Sequence, residues 1–275
     1  EGMAYLRDEN LKYTYIGNIK KGKYHGEGTK YYPNGQIEYE GGWAEGLYHG
    51  EGKKYNQQGI IEYEGGYDNG QYSGKGKLYK IEGEKQVLVY EGGFAGGQYD
   101  GEGTLYDDTG KVVYQGAFKE GKYHGKGTLY FPNSDNIKYV GEFRNGVFNG
   151  LGEKYSKNGF YKKYVGYFKD GKYNGEGVSY YPNGAKKYVG TFKMKLYHKD
   201  GVLFDENGFT VYKGEFYEGK NHGKGTQYYP NSDKVFYEGD YVNGEMEGNG
   251  VFKFESGITK YNGSVKNGKY HGQGS

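Results

Sequence analysis

Aromatic and glycine positions, rather than aliphatic ones, carry the pattern of this chain. Residues 39–59 show the unit: Tyr39-Glu40-Gly41-Gly42-Trp43, then Gly46, then Tyr48-His49-Gly50-Glu51-Gly52, Tyr55 and Gly59. The leading tyrosine recurs at Tyr15, Tyr39, Tyr63, Tyr90, Tyr114, Tyr139, Tyr164, Tyr188, Tyr212, Tyr237 and Tyr261, at spacings of 24 or 25 residues and once 27. The Gly-x-Gly follows each time, except at Lys199-Asp200-Gly201. A fixed period of this length marks stacked supersecondary units. Alternate side chains of a strand share a face, so Tyr39, Gly41 and Trp43 are expected together. A turn at Ala44–Leu47 follows, where Gly46 can take positive φ, and a second strand runs from about Tyr48 to Tyr55. The next turn carries Pro-Asn-Gly at 33–35 and 182–184 or a related glycine turn, and Asn-Gly is a hairpin signal. No sustained i, i+3, i+4 apolar spacing predicts a helix. The pattern therefore predicts an all-β chain: an elongated, twisted, single-layer antiparallel β-meander solenoid of hairpin repeats, about 22 strands at two per repeat. Residues 1–14 read as a partial repeat and 15–275 as tandem repeats. Both ends fall at the same phase inside a repeat, so an excerpt of a longer array is expected.

Composition explains what replaces a conventional core. The chain has 55 Gly, 37 Tyr and 14 Phe among 275 residues, with a mean hydropathy of −1.03. Aliphatic residues are too few for a compact core, so a ladder of stacked aromatics is expected instead. Glycine weakens a strand unless something approaches its backbone closely, and the Gly-x-Gly is read as the bed on which each ring lies. There is no cysteine, which excludes disulfides and thiolate metal sites. With 37 basic and 35 acidic residues, no general attraction to nucleic acid is expected, and no apolar run is long enough to span a bilayer as a helix.

These residues resemble the MORN-repeat family, whose motif is Tyr-x-Gly-x-Phe/Trp-x-x-Gly, then Tyr-x-Gly-x-Gly, then an aromatic. The resemblance covers essentially residues 1–275, in eleven copies. It implies single-layer β-meanders that act as interaction scaffolds in cytoskeletal, ciliary and membrane-junction assemblies, and hence a cytoplasmic or cytoskeleton-associated setting. The repeat here has one residue more than the family's usual length. One inserted residue reverses side-chain facing, so a turn or a bulge must absorb it.

Candidate chemistry is sparse. His25, His49, His124, His198, His222 and His271 share one repeat position, but equivalent positions lie two strands, roughly 9–10 Å, apart. That is too far for two imidazoles to ligate one zinc ion. Gly-Lys-Gly-Thr at 125–128 and 223–226 lacks the helix a phosphate-binding loop needs. Asn262-Gly263-Ser264 is read as a turn. The residue between the paired glycines changes sign along the chain (Glu27, Glu51, Lys75, Glu102, Lys126, Leu151, Glu176, Asp200, Lys224, Asn249, Gln273), which reads as a solvated, specificity-bearing face rather than a catalytic pair. No active site and no cofactor or metal site is expected.

The first functional expectation is a non-enzymatic protein–protein interaction scaffold whose aromatic/Gly groove binds a helix or extended peptide. Tyr and Trp anchor contacts at low entropic cost. The candidate peptide-binding residues are Tyr39, Trp43 and Tyr48; Tyr63, Tyr67 and Tyr72; Tyr90, Phe94 and Tyr99; Tyr114, Phe118 and Tyr123; Tyr139, Phe143 and Phe148; and Tyr164, Phe168 and Tyr173. The alternatives are a phosphoinositide-directed membrane-surface module, through Lys20-Lys21, Lys53-Lys54, Lys162-Lys163 and Lys186-Lys187, or a glycan-binding array stacking sugars on aromatics. Terminal sheet edges offer self-association. Lys199, in place of the first paired glycine, is expected to displace an aromatic and kink the array. The 27-residue repeat around Ile81–Val89 is expected to form a longer hairpin.

Overall fold

The computed structural model describes residues 1–275 and consists of 23 β-strands without a helix. The chain divides into two compact units, Glu1–Asn136 with Arg144–Gly146, and Ile137–Phe143 with Val147–Ser275. The first unit holds β1 (Gly2–Arg7), β2 (Tyr13–Lys20), β3 (Lys23–Tyr31), β4 (Ile37–Ala44), β5 (Leu47–Tyr55), β6 (Ile61–Asp68), β7 (Gln71–Glu82), β8 (Lys85–Ala95), β9 (Gln98–Tyr106), β10 (Val112–Lys119) and β11 (Lys122–Tyr130). After β12 (Ile137–Arg144), the second unit continues through β13 (Val147–Tyr155), β14 (Lys162–Lys169), β15 (Lys172–Tyr180), β16 (Lys186–Lys193), β17 (Leu196–Phe204), β18 (Thr210–Tyr217), β19 (Lys220–Tyr228), β20 (Val235–Val242), β21 (Glu245–Lys253), β22 (Thr259–Lys266) and β23 (Lys269–Gly274). From β1 to β11, and again from β13 to β23, each strand pairs antiparallel with the next. This is the predicted meander, with one strand more than expected because residues 1–14 already contribute β1.

The two loops of a repeat differ in kind. Ala44 pairs with Leu47, leaving the two-residue loop Glu45-Gly46, with φ of 51° and 87°. Positive φ at both central residues is the type I′ geometry that matches the twist of a hairpin. Pro33-Asn34-Gly35 sits in a wider loop, closed by Tyr32 N–H donating to the Gln36 carbonyl at 2.8 Å. Its asparagine reaches forward one repeat, Asn34 Nδ2 donating to the Gln57 carbonyl at 2.8 Å.

Two bulges per repeat set the facing. Lys30 pairs with Tyr39 but Tyr31 with Ile37, so Glu38 has no opposite residue. That one-residue shift absorbs the extra residue of the repeat, and the expected bulge is present. In the next pair, Gly41 opposes Gly52 and Trp43 opposes Tyr48. Gly42 alone therefore faces the three residues His49 to Glu51, a shift of two that keeps Tyr39, Trp43 and Tyr48 on one face.

The core is the aromatic ladder on that face. Tyr39 is fully buried and Trp43 is 5% exposed. The Tyr39 ring stacks on Tyr48 with centroids 3.8 Å apart and planes 14° apart. It meets Trp43 edge-on at 5.1 Å and the next repeat's Tyr67 edge-on at 5.3 Å. In the second unit Tyr164 stacks on Tyr173 at 3.9 Å between Phe168 and Phe192. The edge-on contacts are each worth about 0.5–1.5 kcal/mol beyond their burial. The polar tip of each leading tyrosine is satisfied: Tyr39 Oη donates to the Gly42 carbonyl at 3.0 Å and Tyr63 Oη to Gly66 at 2.9 Å. Burial pushes these phenols well above their ordinary range.

The glycine-bed expectation holds for one glycine of each pair. A Cβ on Gly52 would lie 2.2 Å from Tyr39 Oη and 2.5 Å from its Cζ, whereas one on Gly50 would meet nothing within 4 Å. Gly50 instead has φ +75° at the bulge. This corrects the expected effect of Lys199, which occupies the bulge position with φ 55°. The bed residue Gly201 is intact under Tyr188, and Tyr188 still stacks on Tyr197 at 3.9 Å and 10°. No aromatic is displaced and the shift of two is kept, but Thr191 pairs with His198, so Lys199 and Asp200 alone form the bulge. The longer hairpin is present, as β7 and β8 reach 12 and 11 residues.

Candidate functional site: a glycine-floored groove

The predicted peptide-binding aromatics are brought together, but as core. Tyr39, Tyr63, Tyr90, Tyr114, Tyr139 and Tyr164 are fully buried, and Trp43, Tyr67, Phe94, Phe118, Phe143 and Phe168 are 3–5% exposed. Those twelve side chains cover one another and have no surface left for a partner, which corrects the expectation that they line an open groove. Trp43 also spends its indole N–H on the Gly28 carbonyl, at 3.0 Å, so it is no platform for a sugar ring. The third position, Tyr48, Tyr72, Tyr99, Tyr123, Phe148 and Tyr173, is half-buried and offers only the outer faces of stacked rings.

The concave feature lies on the opposite face of the first unit. A groove of about 1000 Å³ runs over β3–β10, floored by Gly28, Gly41, Gly52, Gly65, Gly76, Gly92 and Gly103. Its floor is backbone, because the Cβ directions of these glycines point at the rings on the aromatic face and away from the groove, while the residues on either side of each glycine point into it. Its walls are two rows set by register. In the first row Glu40 opposes Lys53, Lys53 opposes Glu64, Glu64 opposes Lys77, and Lys77 opposes Glu91. Opposite charges directly across a sheet are favourable, and this row is satisfied internally. Lys77 Nζ lies 3.5 Å from Glu91 Oε1, Tyr55 Oη donates to Glu40 at 2.6 Å and Tyr79 Oη to Glu64 at 2.8 Å. Burial, reinforced by those carboxylates, pushes Tyr55 and Tyr79 up to about 12, so both stay protonated donors.

The second row is the residue between the paired glycines. Glu27 faces Gly42, Glu51 faces Gly66, Lys75 faces Gly93 and Glu102 faces Ala117. These four side chains are exposed and have no ion-pair partner within the chain. Over both rows, six carboxylates face three lysines, a net charge of −3. Sequence reasoning found the second row through its sign changes but missed the first. Glu40 and Lys53 look like ordinary solubilising residues until the bulges fix which of them oppose each other.

In the second unit the first row changes character. Val165 opposes Val178, Val178 opposes Val189, and Val189 opposes Val202, all half-buried. Leu151 and Tyr167, opposite each other, are 49% and 47% exposed. At the β16–β17 turn, Met194, Leu196, Tyr197, His198 and Tyr217 line a small pocket of about 150 Å³.

The remaining candidates have structural roles. His49 Nδ1 sits 3.4 Å from Asp68, His222 Nδ1 accepts from Asn243 N–H at 3.4 Å, and no three His, Cys, Asp or Glu side chains gather as a metal site. Gly125–Thr128 and Gly223–Thr226 are strand residues. Asn262 lies within β22 rather than in the expected turn. Of the lysine pairs, Lys54 is held by Glu62 at 3.1 Å and Lys162 by Glu153 at 2.9 Å.

The MORN repeat model matches ten segments, residues 15–37, 39–59, 63–84, 90–112, 114–136, 139–160, 164–186, 212–234, 237–259 and 261–275. The chain belongs to the MORN-repeat family. The unmatched MORN-like unit, 187–211, is the one carrying Lys195 and Lys199 in place of glycine, yet it forms the same two-strand rung. No curated protein matches the chain. No helix is long and apolar enough to cross a membrane.

Proposed function

We propose that this MORN-repeat chain is a non-catalytic protein–protein interaction scaffold. It holds a segment of a partner protein in the glycine-floored groove of its first unit, not on its aromatic ladder. The observation that carries this reading is the division of labour between the two faces. The aromatic face is consumed by its own packing, while the other face offers about 1000 Å³ of open groove walled by charge. The strip of backbone between the two rows leaves room for a partner chain, and the charged walls supply orientation and steering. The titratable groups in the groove are exposed, hydrogen-bonded or ion-paired, and the hydroxyls that line it, Thr29 and Thr104, stand opposite Glu40 and Glu91 on an open sheet face.

The test is capture of a partner from a lysate of the source organism. The wild-type chain is compared with one carrying Glu27→Lys, Glu51→Lys and Glu102→Lys, and with one carrying Tyr48→Ser and Tyr72→Ser. Loss of the same partner in the first variant and its retention in the second supports the groove. The reverse pattern returns the aromatic face to consideration.

A further inference from the structure

The two wall rows differ in a way that defines what the groove accepts. The Glu40–Glu91 row compensates all but one of its charges, as three acids alternate with two lysines directly across the sheet and two of the carboxylates take tyrosine hydroxyls. The Glu27, Glu51, Lys75, Glu102 row does not. Each of its members stands opposite a glycine or alanine, so the neighbouring strand supplies no counter-charge. The four therefore present the order minus, minus, plus, minus along the groove, exposed and uncompensated.

Spacing and width then choose the conformation of the occupant. Row members are two strands apart, roughly 9.6 Å, and six strand steps separate Glu27 from Glu102, about 29 Å. A polyproline II segment rises ~3.1 Å per residue and returns the same face every third residue, about 9.3 Å, so ten residues span about 28 Å. The two rows are two residues apart on each strand, about 6.6–6.8 Å, which admits an extended chain between them. An α-helix with side chains is about 10–12 Å across and would sit on the rim. A β-strand fits worse, because its side chains alternate faces with period two, so residues taken every third position face the groove only alternately.

We infer that the first-unit groove selects an extended, polyproline II-like peptide with charges in the order cation, cation, anion, cation at every third residue. It does so by pairing them with Glu27, Glu51, Lys75 and Glu102. This rests on the groove being the binding surface and adds the class of segment it recognises. Lys75 is the discriminating element: it rejects a uniformly basic segment by placing a like charge at the third position. The code also reads differently from either end, so it fixes the direction in which the peptide lies.

The test uses two labelled decamers of one composition and fluorescence anisotropy with the whole chain. One is Lys-Pro-Pro-Lys-Pro-Pro-Glu-Pro-Pro-Lys; the other moves the glutamate to the last position, Lys-Pro-Pro-Lys-Pro-Pro-Lys-Pro-Pro-Glu. Neither sequence matches the other when reversed, so an inverted pose cannot rescue the mismatch. The first should bind about 10-fold tighter at low salt, a difference expected when two exposed charge pairs are exchanged for two like-charge contacts. The doubly substituted chain Lys75→Glu, Glu102→Lys presents the complement of the second decamer, and the preference should invert. Both substitutions are on exposed side chains, and near-ultraviolet circular dichroism of the aromatic ladder checks that the fold is kept. Equal binding of the two decamers by both chains overturns the charge code while leaving the groove as a binding surface. Failure of both decamers to bind a folded chain overturns the inference. The groove reading would then stand or fall on the partner-capture comparison alone.

Discussion

Gly52 and Gly50 are two residues apart in the same motif, and the ladder assigns them opposite kinds of constraint. In Gly52→Ala the new Cβ would lie 2.2 Å from Tyr39 Oη and 2.5–2.6 Å from two ring carbons. The ring cannot retreat, because Tyr48 is stacked on its other face at 3.8 Å. Either the strand moves or the ring leaves. Overpacking a tight core costs about 1–3 kcal/mol, and expelling a fully buried aromatic costs about 3–5 kcal/mol, so the rung should lose about 3 kcal/mol or more. In Gly50→Ala nothing lies within 4 Å of the new Cβ and the only constraint is φ +75°, a left-handed conformation that costs an L-residue about 1–2 kcal/mol. A repeat array does not unfold as one cooperative unit, so the appropriate assay is native-state hydrogen exchange of the β4–β6 amides. Gly52→Ala should speed exchange there roughly 100-fold, and Gly50→Ala roughly 10-fold. Equal acceleration by the two substitutions would mean the ring does not lie on Gly52, and the account of the core would be wrong.

Other consequences are open to measurement. Tyr67 Oη is buried without a partner, while Phe94 and Phe118 fill the same slot in later repeats. Tyr67→Phe should therefore be neutral or stabilising by about 1 kcal/mol, read from native-state hydrogen exchange of the β5–β7 amides. A destabilisation above that size would reveal a bond this packing lacks. Lys195 and Lys199 have φ of 75° and 55°, so Lys195→Gly and Lys199→Gly should each add about 1 kcal/mol, and a loss of stability would contradict the bulge assignment. Burial raises the pKa values of the leading tyrosines above the ordinary phenol value of about 10, to about 12 for Tyr15 and Tyr237. The unfolded chain therefore ionises first on the alkaline side. This stabilisation is fully present below pH 10 and is lost as pH rises through 12. Urea titrations across that window should show it, together with tyrosinate absorbance appearing only as the ladder opens. Early titration of these phenols in the folded chain would count against their burial.

Much of this was legible in the sequence, for physical reasons specific to repeats. Tyr15 to Tyr261 recur at nearly constant spacing, so the strand count, the turns and the aromatic core followed from the period alone. The extra residue in each repeat announced a bulge, and Glu38 is that residue. Facing was harder. Tyr39 and Trp43 look like binding anchors in a linear motif, because sequence does not reveal that the next repeat's Tyr67 packs against the first of them. The paired glycines look equivalent, yet only the three-against-one bulge separates Gly50, chosen for its φ, from Gly52, chosen for its bareness. That same confusion made Lys199 look like a disruption of the ladder when it occupies the tolerant position. The groove wall was half visible: Glu27, Glu51, Lys75 and Glu102 stand out between glycines, whereas the Glu40–Glu91 row emerges only from cross-strand register.

The central claim is that partners meet the glycine-floored face and not the aromatic one. It is tested most directly by photo-crosslinking with a benzophenone side chain at position 51, inside the groove, or at position 54, on the aromatic face of the same strand. The account predicts that the captured partner crosslinks from position 51 and not from position 54. Crosslinking from position 54 alone would contradict it.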